Sequence, residues 1–356
     1  MGLGNHIPMI VNGFVLAVIT GRFVLVDYPM ANKTFQFSPN LDYSSYHHLL
    51  PKERVTVLKN YEWEKFSICA TENLQSYYQQ PVWELEGVDY WIPLLQANPH
   101  YTATLERLFP DGQIGHHVLT KIVRLQTGLE SRLEVYKASK FGKFNVGIHF
   151  RQHKRSSTVG SIRMYASVAL QLGANSGRKK EDIRFHLATD DPLIRQRFLP
   201  YFGDRLIHLS VDWKASNSAN NPGGSMDDAV LDWGALASCN ELVITYGSSF
   251  GNAAASYSGS KHYVIMPVRD NLANSREVAF WGGASSEMCF FMSKGFVGNP
   301  NTGDDAEKLW DDFQRDKENG VFANDDVKYS QQRMDLAKAL VAALPSFWHH
   351  TQCDYS

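Results

Sequence analysis

The chain has 356 residues, of which 44% are hydrophobic and 20% are charged, so it holds enough apolar material for more than one folded core. Its formal net charge is −2, which argues against a face devoted to nucleic acid. Its 4 cysteines are scattered, without the paired spacing of a zinc site or the density of a disulfide scaffold. These properties favour a folded protein with a local ligand site.

The amino-terminal residues predict a loop, a helix and a strand in turn. Gly2 and Gly4 belong to a glycine-bearing loop over 1–6, and an apolar helix is predicted over 8–21, with a proline in its first turn. Residues 23–27 have the pattern of a buried strand. No apolar run reaches the roughly 18 residues of a membrane span, so we interpret the apolar segment as a core helix.

The segment 28–89 is rich in aromatic residues and prolines and shows little periodicity. Its aromatic rings are candidates for a surface that holds a sugar acceptor. The alternative is ordinary packing, because aromatic side chains are mostly buried for their apolar area. The sequence leaves both interpretations open.

From residue 145 onward, short segments rich in β-branched residues, typical of strands, alternate with segments that have the pattern of amphipathic helices. This alternation predicts a parallel sheet covered by helices on both faces, with ligands bound beyond the carboxyl ends of the strands. The predicted strands are 145–150, 184–189, 206–209, 241–246 and 262–266, and the predicted helices are 158–172, 192–199, 226–238, 249–257, 304–316 and 330–344.

His149 and Arg151 end the first of these strands. Side chains alternate along a strand, so these two point to the same side and Phe150 to the other. Arginine presents a fixed fork of donors that matches a phosphate group, and the neighbouring Lys154 and Arg155 favour an anion site. A surface arginine on a loop is the alternative.

Two other predicted strands end in small or acidic residues. Gly247, Ser248 and Ser249 form a turn into a helix, where free backbone amides attract phosphate oxygens. Asp190 and Asp191 precede another helix, where they either cap the helix or take part in catalysis. Neither alternative is decided by the sequence.

Asp232 lies inside a predicted helix between apolar residues, so its carboxylate must face solvent or find donors. A guanine base offers paired N–H donors, and a solvated aspartate is the alternative. The sequence contains no Asp-x-Asp triplet of the kind that holds a metal against a nucleotide diphosphate. We therefore expect no metal and no other cofactor, with Arg151 and helix-end amides neutralising a diphosphate.

Two motifs, Gly2-Leu3-Gly4-Asn5 and the strand 146–151, resemble those of plant xyloglucan fucosyltransferases, in which the strand arginine is tied to the diphosphate of GDP. The resemblance runs from Gly2 to about Phe296. Further stretches similar to the plant group are 90–95, 105–110 and 286–290, whereas 188–192, Asp232 and 248–249 are closer to core alpha-1,6-fucosyltransferases.

The resemblance implies an α/β fold of the GT-B kind, with two Rossmann-like lobes and parallel sheets. The expected domains are an acceptor-side lobe over 1–140, whose first strand we expect to be missing, a GDP-fucose lobe over 141–290 and a helical extension over 291–356. By the same resemblance, His149 and Asp232 read guanine, and Arg151 binds the diphosphate and is the catalytic residue. The other implied donor-site residues are Gly4, Asn5, Asp190, Asp191, Gly247, Ser248 and Ser249.

The implied activity is inverting transfer of L-fucose from GDP-fucose to galactose O2 of an acceptor glycan. The implied partners are GDP-fucose and a xyloglucan-like or other galactose-ended polysaccharide or glycoprotein, and a homodimer is allowed. The family resemblance places such an enzyme of cell wall biogenesis in the Golgi lumen. No signal peptide is visible, and we expect any type II membrane anchor to lie outside this chain.

The sequence also departs from the family pattern. Gln152 and His153 replace the second arginine and its neighbour of the alpha-1,6 group, and no acid follows Arg151 where that group has a base, so the general base is unassigned. One alternative is a catalytically degenerate GDP-sugar or glycan-binding protein of the same fold. A nicotinamide-dependent oxidoreductase is disfavoured because no GxGxxG motif follows a strand.

Overall fold

The computed structural model describes residues 3–27, 31–37, 42–58, 69, 71–87, 90–151, 161–209, 226–245, 248–260, 262–265, 280–282 and 288. Contacts divide the chain into two compact units. Unit 1 comprises Met1–Ile7, Val26–Tyr43 and Gly115–Met288, and unit 2 comprises Pro8–Leu25, Ser44–Ile114 and Cys289–Ser356. The domain boundaries expected at 140 and 290 remain predictions, and the helices predicted over 304–316 and 330–344 lie outside the described residues.

The helices in chain order are α1 Leu3–Thr20, α2 Ala31–Thr34, α3 Tyr43–Tyr46, α4 Leu74–Tyr77, α5 Ile92–Ala97, α6 Thr102–Leu108, α7 Ile114–Ile122, α8 Thr127–Lys140, α9 Ile162–Asn175, α10 Pro192–Phe202, α11 Asp227–Ala237 and α12 Ser249–Ser258. Short 3-10 turns cover His47–Leu49, Lys180–Asp182 and Gly203–Arg205. The strands are β1 Phe35–Phe37, β2 Arg54–Leu58, β3 Val82–Leu85, β4 Val123–Leu125, β5 Phe144–Phe150, β6 Ile183–Thr189, β7 Leu206–Ile207, β8 Glu241–Thr245, β9 His262–Ile265 and β10 Phe280–Gly282.

The main sheet of unit 1 has the strand order β10-β9-β8-β5-β6-β7. The strands from β9 to β7 are parallel to their neighbours, and β10 pairs antiparallel with β9. From β5 the chain runs to β6 and β7 on one side and then crosses to β8 on the other, so the direction of winding switches between β5 and β8. Ligands of open parallel sheets bind beyond this switch point. The predicted α/β fold with a parallel sheet is confirmed.

One face of this sheet is an apolar core, called here the apolar face. Val146, Ile148 and Phe150 of β5 alternate onto it, and α9 and α10 cover it. Its other fully or nearly fully buried members include Tyr165, Ala169, Phe185, Leu187, Phe198 and Phe202. Each large apolar side chain buried in this way stabilises the fold by about 1.5–3 kcal/mol.

The opposite face, called here the polar face, carries His149 of β5 and His186 of β6 together with Asp232 of α11, all of them buried. Residue 147 must be small there, because a Cβ on Gly147 would come within 2.8 Å of the Leu236 side chain of α11. The absence of a side chain lets α11 lie close to β5. The sequence pattern of buried strands therefore produces one hydrophobic layer and one layer with ionisable groups.

In the described part of unit 2, β2 and β3 form a two-stranded parallel sheet. Trp91 is fully buried, and its backbone N–H donates to Asn12 Oδ1 at 2.9 Å, which ties α1 to the start of α5. Tyr78 is buried whereas Tyr77 is half exposed, so the aromatic segment contains both packed and accessible rings. A sugar-holding role for these rings remains a prediction.

The amino-terminal predictions need three corrections. Helix α1 begins at Leu3, so residues 3–6 are helical and not a loop. No strand covers 23–27, since Phe23 is 66% exposed and Val26 makes only an isolated bridge to Asp42 in the described residues. α1 is also long and apolar enough to cross a membrane by length and composition, although 67% of it is buried here, as in a core helix.

Candidate functional site

His149 lies at the carboxyl end of β5, next to the switch point. Its ring stacks on Phe250 of α12, with centroids 5.2 Å apart and an interplanar angle of 28°. Burial, together with the positive charge of Arg151, lowers the pKa of His149 to about 3. The imidazole is therefore neutral at physiological pH, and such a ring can both donate and accept hydrogen bonds.

Arg151 follows β5 directly, and its side chain is 43% exposed. Its Nε lies 3.8 Å from Oδ2 of Asp190, which directly follows β6 and is similarly accessible. A long ion pair between exposed groups contributes little to stability. Arg151 therefore keeps its guanidinium accessible to an anion at the edge of the sheet, and Asp190 lies beside it.

The amino ends of α1 and α12 meet within unit 1. The Ser249 hydroxyl donates a hydrogen bond to Oδ1 of Asn5. A Cβ on Gly4 would lie 2.6 Å from the carbonyl carbon of Ser249, closer than real Cβ atoms come. The missing side chain is what lets the two helices approach, and the structure thus brings three predicted site residues together.

Two helix amino ends at one place make an electropositive site. The first-turn amides of a helix have no partner within it, and the peptide dipoles place roughly half a positive charge there. Ser248 occupies the cap position of α12, but its side chain makes no capping hydrogen bond. The cap residue therefore leaves the first-turn amides available to an anion, except that Gly4 packs against the amide of Phe250.

Glycine at position 251 joins this helix start to β5. A Cβ on Gly251 would come within 2.9 Å of both Nδ1 of His149 and the Cβ of Ile244. The start of α12 can consequently lie directly against the ends of β5 and β8. Arg151 also donates its backbone N–H to the Thr245 hydroxyl at 2.9 Å, a contact that sequence reasoning did not predict.

Asp232 belongs to a buried chain of polar groups on the polar face. Oδ1 of Asp232 lies 3.4 Å from Nε2 of His186, and Nδ1 of His186 is 2.9 Å from the Tyr136 hydroxyl of α8. The distance between Asp232 and His186 is within the range of an ion pair, but the atoms do not have the geometry of a hydrogen bond. With Tyr136 donating to Nδ1, the remaining hydrogen of a neutral His186 is on Nε2 and faces the carboxylate.

The remaining predicted residues fall into two groups. Asp191 caps α10 by accepting from the Leu193 N–H at 2.9 Å, which is the capping alternative weighed from the sequence. Gly247 lies outside the described residues, as do Gln152, His153, Lys154 and Arg155. In the described ranges, no three His, Cys, Asp or Glu side chains gather as metal ligands.

Thr245, Phe250 and Gly251 are contacts of the site that sequence reasoning did not assign. Phe250 and Gly251 fall inside the small-residue turn recognised from the sequence, so their position was available but their contacts with β5 were not. Thr245 ends β8, and Tyr136 and His186 lie far apart in sequence. No local pattern in one sequence could link Thr245, Tyr136 or His186 to the site.

No protein-family model matches the sequence, and no curated protein matches it. Among solved structures, a mutant of FUT1 from Arabidopsis thaliana in complex with GDP has a TM-score of 0.61 at 15% identity, covering 82% of this chain and 73% of that chain. The fucosyltransferase NodZ from Bradyrhizobium has a TM-score of 0.46 at 13% identity, covering 79% and 95%. The fold predicted from the sequence motifs is therefore confirmed: the chain has the mixed α/β, GT-B-like fold of Arabidopsis FUT1.

Proposed function

We propose that the chain is a fucosyltransferase that uses GDP-fucose as its donor. The observation that carries this proposal is that the start of α12 packs against the end of β5, the strand that Arg151 follows, at the switch point of a parallel sheet. The amino end of α1 meets the same helix start through Gly4 and Asn5. Two helix ends and a guanidinium match the charge of a diphosphate. The fold shared with FUT1, a protein solved with GDP, supports the same ligand.

The reaction we propose is a single displacement at the anomeric carbon of fucose. The acceptor oxygen forms the new glycosidic bond, while the bond from that carbon to the diphosphate oxygen breaks. The acceptor proton passes to a base or a water molecule, and GDP leaves with the bonding electron pair. Arg151 and the amides of α12 stabilise the negative charge that develops on the leaving group.

His149 and Asp232 are the residues we propose for the guanine base. Both lie on the polar face, on or against the paired strands β5 and β6. An ionised Asp232 would accept the guanine N–H donors, and the neutral His149 ring would complete the pocket. Asp190 and Asp191 are proposed as further donor contacts, with Asp191 retaining its cap.

For the acceptor, we propose galactose O2 of a xyloglucan-like or other galactose-ended glycan, with inversion to an alpha-1,2-fucoside. The plant-type sequence motifs support this choice, along with action in the Golgi lumen during cell wall biogenesis. NMR of the product tests it, because the anomeric coupling and the shifted galactose carbon identify the linkage. A fucose attached elsewhere than O2 would contradict the acceptor proposal alone.

We further propose that transfer needs no metal, because the sequence lacks an Asp-x-Asp triplet and Arg151 is the residue proposed to neutralise the diphosphate. Fucose transfer measured with EDTA should equal transfer without it. Activity that EDTA abolishes and Mn²⁺ or Mg²⁺ restores would contradict this part of the proposal.

The central experiment measures GDP binding by calorimetry and GDP release from GDP-fucose with candidate acceptors. Arg151→Ala should lower turnover by about 100-fold or more, since a group that stabilises charge in the transition state contributes this much. The matched control is Arg132→Ala, which removes a surface arginine of α8 that pairs with Asp228 at 3.3 Å. This control should keep wild-type turnover.

Two outcomes would overturn the assignment. A wild-type chain that does not bind GDP contradicts the donor site, and an Arg151→Ala variant as active as the wild type contradicts the role of Arg151. GDP binding without transfer or hydrolysis would favour the degenerate GDP-sugar-binding protein instead.

A further inference from the structure

A buried threonine hydroxyl at the end of β8 takes part in three hydrogen bonds. Thr245 Oγ1 donates to the His149 carbonyl oxygen at 2.9 Å. It accepts from the Arg151 backbone N–H and from the Tyr165 hydroxyl, each at 2.9 Å. A hydroxyl has one hydrogen to donate and two lone pairs with which to accept. Every hydrogen-bonding position of Thr245 is therefore used.

These bonds join three elements at the switch point of the sheet. The register of β5 with β8 extends to the pair His149 and Ile244, and the Thr245 hydroxyl continues the connection to Arg151. Tyr165 reaches the same hydroxyl from the first turn of α9 and is fully buried. Burial raises the pKa of its phenol, so the group stays protonated and donates. The end of β5 is thus tied to both β8 and α9.

Packing acts on the same stretch of β5 from the apolar face. Phe150 lies between His149 and Arg151, and its ring meets the Tyr165 ring edge-on with centroids 4.9 Å apart. One tyrosine therefore contacts the Phe150 ring and bonds the hydroxyl that holds the residues on either side of Phe150. The backbone before Arg151 is constrained both by packing and by hydrogen bonding.

We propose that Thr245 is a positioning residue for Arg151 and that Tyr165 supports it. The inference rests on the proposed function, in which Arg151 binds the diphosphate of the donor. The guanidinium is 43% exposed and its ion pair with Asp190 is long, at 3.8 Å, so side-chain contacts hold it loosely. The backbone sets the point and direction from which the Arg151 side chain leaves β5, and Thr245 holds that backbone. A displacement of about 1 Å at such a group costs on the order of 100-fold in rate.

The experiment replaces the hydroxyl without changing the size of the side chain. Thr245→Val should weaken GDP binding by about 10-fold and lower kcat by about 10- to 100-fold, with the acceptor KM unchanged. Thr245→Ser restores the hydroxyl, and we expect its GDP affinity and kcat to return to within about threefold of wild type. Tyr165→Phe removes one of the three bonds and should weaken GDP binding by about threefold.

A matched control removes another buried threonine hydroxyl. Thr20 is 4% exposed and donates to the Leu16 carbonyl of its own helix at 2.6 Å. Thr20→Val should lower thermal stability while leaving GDP affinity and kcat unchanged. If it weakens GDP binding as strongly as Thr245→Val does, the Thr245 effect is a general loss of stability and the inference is wrong.

A double-mutant cycle with Arg151→Ala gives the decisive test, because residues that act as one unit have non-additive effects. If Thr245 acts through Arg151, adding Thr245→Val to Arg151→Ala should change GDP affinity by less than about twofold. Equal losses in both backgrounds would overturn the inference. Where Thr245→Val does not fold, a folded Tyr165→Phe protein with wild-type GDP affinity and kcat would overturn it instead.

The inference and the proposed function fail in different ways. GDP binding that depends on Arg151 but not on the Thr245 hydroxyl leaves the proposed function intact and removes the inference. A wild-type chain without GDP affinity removes the donor site, and the positioning role with it.

Discussion

The two faces of the main sheet are buried to a similar degree, but by different side chains. Val146, Ile148 and Phe185 on the apolar face are all fully buried. On the polar face, His186 is fully buried, and His149 and Asp232 are 4% and 7% exposed. Apolar groups stabilise the fold when they leave water, whereas a polar group left without a good partner costs about 1–3 kcal/mol.

The contrast indicates where stability and function reside in unit 1. Nδ1 of His149 and Nε2 of His186 have no hydrogen-bond partner within the described part of the chain. Incompletely satisfied polar groups oppose folding, and in natural proteins they concentrate at functional sites. We therefore expect substitutions on the apolar face away from the Tyr165–Thr245 hydrogen bond to lower stability, and substitutions on the polar face to lower ligand affinity.

The largest expected effect on stability comes from the apolar face. Phe198 is fully buried, with its ring 5.7 Å from Phe150 and 5.9 Å from Phe202. Phe198→Ala should lower the free energy of unfolding by about 3–5 kcal/mol, because it leaves a cavity in the core. Urea denaturation measures this loss. GDP affinity of the folded variant should stay near wild type, and a large loss of affinity would show that the two faces are not separable.

The converse prediction concerns Asp232. Asp232→Asn keeps the shape of the side chain but removes the charge. A hydrogen bond to a charged group contributes about 1.5–3 kcal/mol, so the GDP affinity of the variant should fall by roughly 10- to 150-fold. The free energy of unfolding should change by less than about 1 kcal/mol, since a buried charge carries a desolvation penalty. Calorimetry with GDP and urea denaturation together measure both quantities.

Asp228 of the same helix supplies the control. It pairs with Arg132 at 3.3 Å near the surface, where ion pairs contribute little. Asp228→Asn should leave GDP affinity unchanged. If Asp232→Asn and Asp228→Asn bind GDP equally well, Asp232 does not read the base.

The pH dependence of stability should also come largely from histidines that are buried in their neutral form. The pKa of His149 is lowered to about 3 by burial and by Arg151, and burial lowers that of His262 to about 4. Between pH 6.5 and these values the unfolded chain takes up protons that the folded chain does not. Stability therefore falls as the pH falls through this window, and His149 contributes a loss of about 2 kcal/mol between pH 7 and pH 5.

His149→Phe is the variant that isolates this contribution, because phenylalanine keeps a ring against Phe250 and does not titrate. Unfolding free energies at pH 7, 6 and 5 should decline less steeply in the variant than in the wild type. The difference in slope should approach about 1.4 kcal/mol per pH unit below pH 6. Parallel curves would mean that His149 is charged in the folded protein.

The main sheet was predictable from the sequence because its strands are short, rich in β-branched residues and separated by helices of ordinary length. The predicted strand over 145–150 matches β5 within one residue. The predicted ends of helices were less accurate where a side-chain contact determines the end. Helix α9 begins at Ile162 and not at 158, because the Ser161 side chain caps it by accepting from the Met164 N–H. The alternation of side chains along β5 also predicted that Phe150 lies on the face opposite His149.

Contacts between distant residues account for most of what the sequence did not predict. The helical conformation of residues 3–6 depends on Gly4 lying against Ser249 and Phe250, far away in the chain. The aromatic and branched residues over 23–27 resemble a strand, but Phe23 is exposed and its ring packs edge-on against Tyr46. Propensity alone does not make a strand without a partner, and a single sequence does not show which partner is present.

The smallest predicted effects separate two neighbouring carboxylates that the sequence could not distinguish. Asp191 caps α10 through the Leu193 N–H, so Asp191→Ala should lower the free energy of unfolding by about 1 kcal/mol. Asp190 lies beside Arg151 in an exposed ion pair of 3.8 Å, so Asp190→Ala should change stability by less than about 0.5 kcal/mol. Its effect should appear in GDP affinity instead, because the carboxylate influences where the guanidinium rests. The opposite pattern, with stability lost at 190 and affinity lost at 191, would exchange the two roles and move the donor site toward the start of α10.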